Sequence, residues 1–437
     1  MERHSVIWHP FTQHALMPRA LHVNSAKDAY LYVHEDVRKQ GDGAQCKIID
    51  AISSWWVITH GHCHPHIIKC VQEQSEKLEQ VIFAGFTHDQ AEQLATRMVE
   101  LTARSFRQGY DHVFFSDSGS TSVEVALKMA IGYWTHTGKT RRKIVALENG
   151  YHGDTFGAMS AGGRCQFNAL YDPYLFDVAH IPVPEAVCEG ESLQRLEDYL
   201  LTNKGDVAAF IFEPLVQGAG GMRVYSPQAL ADMAKLCRAH DVLLIADEVM
   251  TGFGRTGTMF ACEQAGIMPD IMCLSKGVTA GFLPMGLTLC THDIYKAFYH
   301  KDRGKMFFHS SSFTGNALAC AAANASLDIW EREPVLQRIA DISKAHTSAA
   351  QEFSQQRGVA NIRQIGTILA LDVVGDEDQQ EGYLSDLQPR LYAMALERGV
   401  LLRPLGNSLY VLPPYCVSQD DLACIYGAMR EMIAGVL

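Results

Sequence analysis

Short apolar runs rich in β-branched residues recur through the middle of the chain, and longer amphipathic stretches separate them. Such runs are typical of strands buried in a parallel sheet. The predicted strands are 112–115, 143–147, 208–212, 242–246 and 271–274. A helical pattern lies between several of them, for example over 227–240. This alternation predicts an α/β fold with a mostly parallel central sheet.

The two ends of the chain differ from this central pattern. Residues 1–60 carry short mixed segments. After residue 330 the helical patterns are more charged, and they end in a strand-like run, SLYVLPPY, at 408–415. We therefore expect a large domain over 61–330 and a smaller α+β domain built from 1–60 and 331–437.

Composition narrows the class of protein. The net charge of -12 argues against a nucleic-acid binder, which needs a basic face. The chain lacks the long apolar run of a membrane span, and the first residues lack the apolar core of a signal peptide. Twelve cysteines occur singly, never at C-x-x-C spacing, which predicts free thiols in a reducing compartment. A cytoplasmic protein is expected.

Two charged residues lie at the ends of predicted strands. Asp247 follows the run VLLIA, and Lys276 follows IMCLS. Ligands of open α/β sheets bind at this edge. Taken alone, the aspartate also fits a helix cap or an ion pair, and the lysine fits a solvated position. Together they match a pyridoxal phosphate (PLP) site, which needs a lysine for covalent attachment and an acid beside the pyridine nitrogen.

A third strand end offers a place for a phosphate. The segment DSGST at 117–121 follows the predicted strand 112–115. TSVE at 121–124 fits a capping box that opens a helix, which would place Gly119 and Ser120 at the helix N-terminus. Free backbone N–H groups and the helix dipole favour an anion there. A plain capped turn is the alternative.

Aromatic residues come next to these strand ends. Tyr151 lies just past 143–147, where an aromatic ring can stack on a cofactor or simply pack. Trp55 and Trp56 are adjacent, so on a regular strand they would face opposite sides.

Four histidines alternate in HGHCHPH at 60–66. In an extended segment His60, His62, His64 and His66 would share one face, as metal ligands do. Pro65 argues against a regular strand, so we expect no metal site here.

Residues 246–257, ADEVMTGFGRTG, resemble the signature of the class III PLP-dependent aminotransferases. The match continues through PD at 269–270 and SKG at 275–277, and the spacing between Asp247 and Lys276 agrees. The resemblance covers nearly the whole chain. It implies a transaminase of PLP fold type I that works as a homodimer on small molecules.

Further segments resemble one branch of that class, the 7,8-diaminopelargonate synthases of biotin synthesis. They are IWHPFTQ, SSWW, DSGSTSVEVALKMA, NGYHGDTFGAMS, EPLVQGAGGM, GNALACAAANASL and RPLG. SSWW and NGYHGDT distinguish this branch from ornithine and 4-aminobutyrate relatives. The resemblance implies ping-pong transfer of an amino group from S-adenosylmethionine to 7-keto-8-aminopelargonate (8-amino-7-oxononanoate).

The resemblance also implies roles for single residues in holding the cofactor. Lys276 would bind it covalently and move a proton during catalysis, and Asp247 would pair with its ring nitrogen. Tyr151 would stack on the ring. Its phosphate would contact Gly119, Ser120, and Ser311 and Ser312 of the partner subunit.

The same resemblance implies a set of residues that contact substrate. Arg403 would receive the carboxylate of the keto acid, a group that suits a bidentate guanidinium. The full set is Phe11, Trp55, Tyr151, Lys276, Ser310 and Arg403.

Two positions leave alternatives open. Phe11 stands where relatives often have a tyrosine, and some relatives with phenylalanine resemble enzymes that use lysine as donor, whereas the Trp55–Trp56 pair favours S-adenosylmethionine. Glu213 fits either a structural ion pair or the arginine-paired switch of some relatives. Another class III diamine or ω-amino acid aminotransferase is the nearest alternative. A non-catalytic cofactor-binding scaffold is opposed by the presence of Lys276 and Asp247.

Overall fold

The computed structural model describes residues 6–16, 20–34, 45–374, 385 and 387–437. Its strands are β1 (His22–Lys27), β2 (Tyr30–His34), β3 (Gln45–Asp50), β4 (His112–Ser116), β5 (Lys143–Leu147), β6 (Val178–Ile181), β7 (Val207–Phe212), β8 (Val216–Gln217), β9 (Arg223–Val224), β10 (Leu243–Asp247), β11 (Ile271–Leu274), β12 (Gly286–Cys290), β13 (Val359–Ile365), β14 (Ile368–Val373), β15 (Val400–Leu401) and β16 (Ser408–Val411).

Twelve α-helices occur among the described residues. They are α1 (Ser53–Trp56), which is a single irregular turn, α2 (Pro65–Ser75), α3 (Asp89–Phe106), α4 (Gly119–His136), α5 (Phe156–Ala161), α6 (Glu189–Thr202), α7 (Pro227–Ala239), α8 (His292–Phe298), α9 (Ala317–Arg332), α10 (Val335–Phe353), α11 (Leu387–Glu397) and α12 (Gln419–Ala434).

The central sheet has the order β4-β12-β11-β10-β7-β5-β6. Neighbouring strands run parallel except at β12, which is antiparallel to both β4 and β11. The predicted mostly parallel α/β sheet is therefore confirmed. Each of the five predicted strands occurs within one residue of its predicted bounds, because continuous apolar runs bury both faces of a parallel strand.

Helices cover both faces of this sheet. On one face, α4 packs against β7, β11 and β12. On the other face, α3 and α9 pack together, and side chains from both join a buried cluster with residues of β11 and β12. With both faces covered, the carboxyl ends of the parallel strands are left as the edge where polar side chains gather.

Strands from the two ends of the chain meet in a second sheet. Its order is β1-β2-β3-β15, and β15 pairs in parallel with β3. A third sheet, β13-β14-β16, contains the first half of the predicted strand-like run at 408–415, because β16 ends at Val411. The predicted domain boundary at 330 lies in the last turn of α9, and the boundaries themselves remain predictions.

Within the described ranges, no helix combines the length and the apolar character needed to cross a bilayer. The eleven cysteines from Cys63 to Cys424 are free thiols.

Candidate active site

The carboxyl ends of three neighbouring parallel strands bring charged side chains together. Asp247 is the last residue of β10, Glu213 follows β7 directly, and Lys276 comes two residues after β11. Because β10 lies between β7 and β11, Asp247 stands between the other two. The sheet order therefore assembles groups that are far apart in sequence.

Asp247 is buried and paired with a histidine. Its Oδ2 lies 2.7 Å from Nδ1 of His152, and its Oδ1 accepts a hydrogen bond from the Val249 N–H at 3.1 Å. Burial alone would lower the pKa of His152, but the hydrogen bond to Asp247, together with the charges of Asp247 and Glu213, raises it overall. The imidazole of His152 thus gives the buried carboxylate the hydrogen-bond partner that a buried polar group needs.

Lys276 opens a short 3-10 turn and has a φ of 42°. Its side chain is mostly buried, and Nζ lies 4.8 Å from the centre of the Trp56 ring. Burial lowers the pKa of Lys276 to about 8, although the negative charges of Asp247 and Glu213 oppose the shift. The lowered pKa gives this amine a larger neutral fraction than an exposed lysine has, and the neutral form is the one that acts as a nucleophile or general base.

The hydrogen-bond partners of Glu213 match neither of its two predicted pairings. Its carboxylate accepts hydrogen bonds from the backbone N–H groups of Tyr151 and Gly218, each at 3.1 Å. No arginine is among its hydrogen-bond partners in the described chain, so neither an ion pair nor an arginine switch is formed in this conformation. Burial raises the pKa of Glu213 to about 7, with the charge of His152 opposing.

The capping box of the phosphate turn starts three residues earlier than the sequence indicates. The N-cap of α4 is Ser118, which shares a capping box with Thr121, so the predicted box starting at Thr121 is wrong. Glu124 points elsewhere: its carboxylate accepts from Thr155 Oγ1 at 2.6 Å. Gly119 and Ser120 are nevertheless the first two residues of the helix, where N–H groups are free to bind an anion.

A second turn packs against this helix start. Gly153 has a φ of +127°, and a methyl group there would lie 2.6 Å from Ser120 Cβ. The Asp154 N–H donates to Ser120 Oγ at 3.2 Å, and the Tyr151 hydroxyl donates to Asp154 at 2.9 Å. Tyr151 is thereby fixed between the phosphate turn and Glu213.

A cavity of about 670 Å³ opens beside these turns. Its wall includes Tyr151, His152, Asp154 and Phe167. This volume lies in the range of metabolite-binding pockets, roughly 300–1,000 Å³.

The two tryptophans lie on α1, whose backbone departs from both strand and helix. Ser54 has φ 59° and ψ -79°, and Trp55 has φ -134° and ψ 56°. The alternation expected on a strand therefore does not apply. Trp56 is buried and donates through Nε1 to Tyr410 at 3.0 Å, whereas Trp55 is 39% exposed.

Trp55, Phe11 and Arg403 form one cluster, although Arg403 is more than 300 residues away from the other two in the sequence. The Arg403 guanidinium lies 4.8 Å from the centre of the Trp55 ring and donates to the Phe11 carbonyl at 3.3 Å. The Phe11 ring packs edge-on against Trp55 at 5.9 Å and against Phe167 at 5.7 Å. Phe167 joins this cluster to the cavity.

The serines before α9 lie near the phosphate turn of their own chain, but within the described residues none of them is hydrogen-bonded to Gly119 or Ser120. The Ser311 hydroxyl hydrogen-bonds to the carboxylate of Asp117. Ser310 and Ser312 are exposed, and the Ser312 carbonyl accepts from Gln80 at 3.3 Å. Their predicted contribution to a partner's site stays a prediction.

The four histidines do not share a face. Pro65 is the first residue of α2, where its missing N–H costs nothing, so the extended segment that would align the four histidines does not form. His62 pairs with Asp50, His64 with Glu333, and His66 with Asp328. In the described part of the chain no group of three or more His, Cys, Asp or Glu residues is arranged to hold a metal ion.

Two residues of the site were missed by sequence reasoning. His152 follows Tyr151 directly, and that adjacency was the available signal, but its partner is 95 residues away. Arg255 is almost fully buried and donates to the carbonyls of Trp56, Ile58 and Pro413. It supports the tryptophan turn from the glycine-rich segment after β10.

The family model of the class III aminotransferases matches residues 23–433. The chain is a class III aminotransferase. It is a PLP-dependent enzyme with the fold type I architecture, as its strand order and the resemblance of its motifs implied.

Relatives of this aminotransferase match it from end to end. An adenosylmethionine-8-amino-7-oxononanoate aminotransferase of Synechococcus elongatus is 45% identical, covering 99% of each chain. One of the same name from Geobacter sulfurreducens is 37% identical, covering 98% of this chain and 95% of the relative.

Solved structures agree with this membership. The crystal structure of adenosylmethionine-8-amino-7-oxononanoate aminotransferase from Methanocaldococcus jannaschii superposes with a TM-score of 0.91 at 32% identity, covering 99% of this chain and 97% of the other. A PLP-bound amine transaminase from an uncultivated Pseudomonas species also gives 0.91, at 30% identity over both whole chains.

Proposed function

We propose that this aminotransferase transfers the amino group of S-adenosylmethionine to 7-keto-8-aminopelargonate, giving 7,8-diaminopelargonate for biotin synthesis. The main support for this proposal is the pair of adjacent tryptophans, which lies between the guanidinium of Arg403 and the amine of Lys276. Trp55 contacts the guanidinium of Arg403, and Trp56 contacts the amine of Lys276. A keto acid needs a cation for its distant carboxylate and an amine at its reacting carbon, with an apolar wall between them. The names of the full-length relatives point to the same substrates.

The residues at the strand ends suit PLP. Asp247 is a buried carboxylate with a histidine behind it, which suits a protonated ring nitrogen. The first turn of α4 suits a phosphate, and Gly153, which has no Cβ, lets the turn at 151–154 pack against Ser120. Pyridoxal phosphate, when bound, supplies an electron-withdrawing ring that stabilises negative charge at the substrate carbon.

The chain's own residues would then bind substrate and move a proton. Arg403 would bind the carboxylate of the keto acid and orient it along Trp55. Lys276 Nζ would take the proton from the carbon that bears the donor's amine and return a proton in the second half-reaction. Because donor and acceptor use one site in turn, we expect ping-pong kinetics.

The test is to add each candidate donor to the PLP-loaded enzyme and follow the absorbance of the bound cofactor. We expect S-adenosylmethionine to remove the cofactor band and 7-keto-8-aminopelargonate to restore it. Lys276→Ala is the matched control, and it should show neither change. If neither S-adenosylmethionine nor lysine alters the band, the proposed substrates are wrong.

Lysine is the second candidate donor, and Phe11 is the observation that favours it. The Phe11 ring contacts Trp55 and Phe167 and offers no hydroxyl to a donor. A pocket without that hydroxyl has a different donor preference. Loss of the band with lysine only would assign the lysine-using reaction.

We also propose a homodimer in the cytoplasm. Exposed apolar side chains near the serine segment, including Phe86, Phe308 and Phe313, support an association of two copies. Free thiols support a reducing compartment. Sedimentation at assay concentration should give a dimer, and a fully active monomer would contradict it.

A further inference from the structure

The turn that carries the two tryptophans has a strained backbone. Ser53, Ser54 and Trp56 have φ angles of 54°, 59° and 66°, which residues with a Cβ rarely adopt. Such a conformation persists only where surrounding contacts hold it, and these conformations cluster at functional sites. The contacts that hold this turn therefore bear on where Trp55 and Trp56 point.

Asp50 supplies three of these contacts. It is the last residue of β3 and is 0% exposed. Its Oδ1 accepts from the Ser54 N–H at 2.8 Å and from the Ile52 N–H at 3.3 Å, and its Oδ2 accepts from Ser54 Oγ at 3.0 Å. One buried carboxylate thus binds both the backbone and the side chain of the most strained residue.

His62 completes the set by binding the carboxylate itself. Its Nε2 lies 2.8 Å from Asp50 Oδ2, and its side chain is 11% exposed. The backbone of His62 is held in turn by a two-way bridge to Asp28, with N–H to O distances of 2.7 and 3.1 Å. A buried carboxylate without a donor beside it is costly, so this imidazole fixes the orientation that the turn needs.

Asp50 is also paired with the strand that leads to Arg403, which belongs to the cluster with Trp55 and Phe11. Asp50 lies opposite Leu401 in the parallel pairing of β3 with β15, and Arg403 follows two residues later. Asp50 is therefore next to both chain segments that meet where Trp55 contacts Arg403.

We propose that Asp50 and His62 are positioning residues for substrate binding. Through α1 they set Trp55 against Arg403 and Trp56 against Lys276, so their loss weakens the binding of the keto acid more than it slows the chemical step. The identity of that keto acid rests on the proposed function, whereas the support of the turn does not.

The chain offers a matched control for this pair. His66 and Asp328 form a second His–Asp contact, also at 2.8 Å, but they lie on α2 and α9, away from the turn. His62→Leu removes the donor to Asp50, His62→Gln keeps an N–H donor, and His66→Leu removes the control contact.

Kinetics give the first readout. We expect His62→Leu to raise KM for 7-keto-8-aminopelargonate on the order of tenfold with kcat changed about twofold or less, the pattern of lost binding. His62→Gln should recover part of the KM, and His66→Leu should leave it unchanged. An unchanged KM in His62→Leu, or an equal rise in His66→Leu, overturns the proposal.

Hydrogen–deuterium exchange of the peptide over residues 50–58 gives a second readout that needs no substrate. We expect faster exchange in His62→Leu holoenzyme than in wild type or His66→Leu. If His62→Leu does not fold, the same comparison is made with His62→Asn, whose shorter side chain leaves Asp50 without its donor. Unchanged exchange overturns the proposal. Faster exchange in an enzyme that rejects the proposed keto acid would instead overturn only the proposed function.

Discussion

At the scale of single residues, burial and charge prepare the amine of Lys276. Its pKa of about 8 reflects burial, partly offset by Asp247 and Glu213. Burial lowers this pKa because a site of low polarity disfavours the charged ammonium form. His152 bears on Asp247 as well, since its imidazole hydrogen-bonds to the buried carboxylate. One strand edge therefore holds an amine with a lowered pKa and a hydrogen-bonded carboxylate within one small site.

The amine's shift predicts how the cofactor-free enzyme attaches PLP. Only neutral Lys276 reacts with an aldehyde, so the rate of attachment should rise with pH and level off above about pH 8. Borohydride trapping followed by peptide mass spectrometry measures the rate at this residue. A free lysine analogue, with its pKa near 10.4, is the reference. An inflection shared with the reference would contradict the shift.

At the scale of elements, the start of α4 and the turn at 151–154 form one unit. Ser118 caps the helix, and Gly153 comes so close that a side chain would overlap Ser120. A glycine suits position 153 for two reasons. Its φ of +127° is strained for other residues, and its missing Cβ allows the turn to approach Ser120. The phosphate site is thus a contact between two turns.

We expect Gly153→Ala to weaken PLP binding on the order of tenfold or more, because the added methyl pushes the turn from the helix start. Gly138→Ala is the matched control: Gly138 also has a positive φ, +80°, but nothing lies within 4 Å of a Cβ there. Equilibrium dialysis of both apo-variants measures the affinity. Equal weakening in the two would assign the effect to backbone strain alone.

At the scale of the whole molecule, the predicted dimer makes a site from two chains. Ser312 is exposed, and among the described residues it has no hydrogen bond to Gly119 or Ser120 of its own chain. If it serves the other copy, damage to Ser312 and damage to Lys276 affect different sites in a mixed dimer, as two-fold symmetry requires.

Mixing Lys276→Ala with Ser312→Trp therefore tests the shared site. Half of randomly mixed dimers carry one undamaged site, so we expect about a quarter of wild-type activity from two weak parents. The assay is turnover after refolding the variants together, and each variant refolded alone is the control. Activity no greater than the average of the parents would place Ser312 in its own chain's site.

The sequence by itself determined the strands of the central sheet and the residues at their ends. Apolar runs bury both faces of a parallel strand, so 143–147 and 271–274 coincide with β5 and β11. Asp247 and Lys276 were also predictable, because a charge directly after such a run lies at the ligand edge. The family followed from the residues of these motifs and from the spacing between them.

Only the tertiary structure decided which distant residues meet. The contact of Asp247 with His152, the cluster of Phe11, Trp55 and Arg403, and the bond from His62 to Asp50 each join separate segments. The capping box was misplaced for a related reason, since Glu124 binds the 155–158 turn instead of its own helix start. The pattern of apolar and polar residues shows which positions along a regular helix or strand are buried. These contacts depend instead on strand order and on irregular turns, which leave no periodic pattern in the sequence.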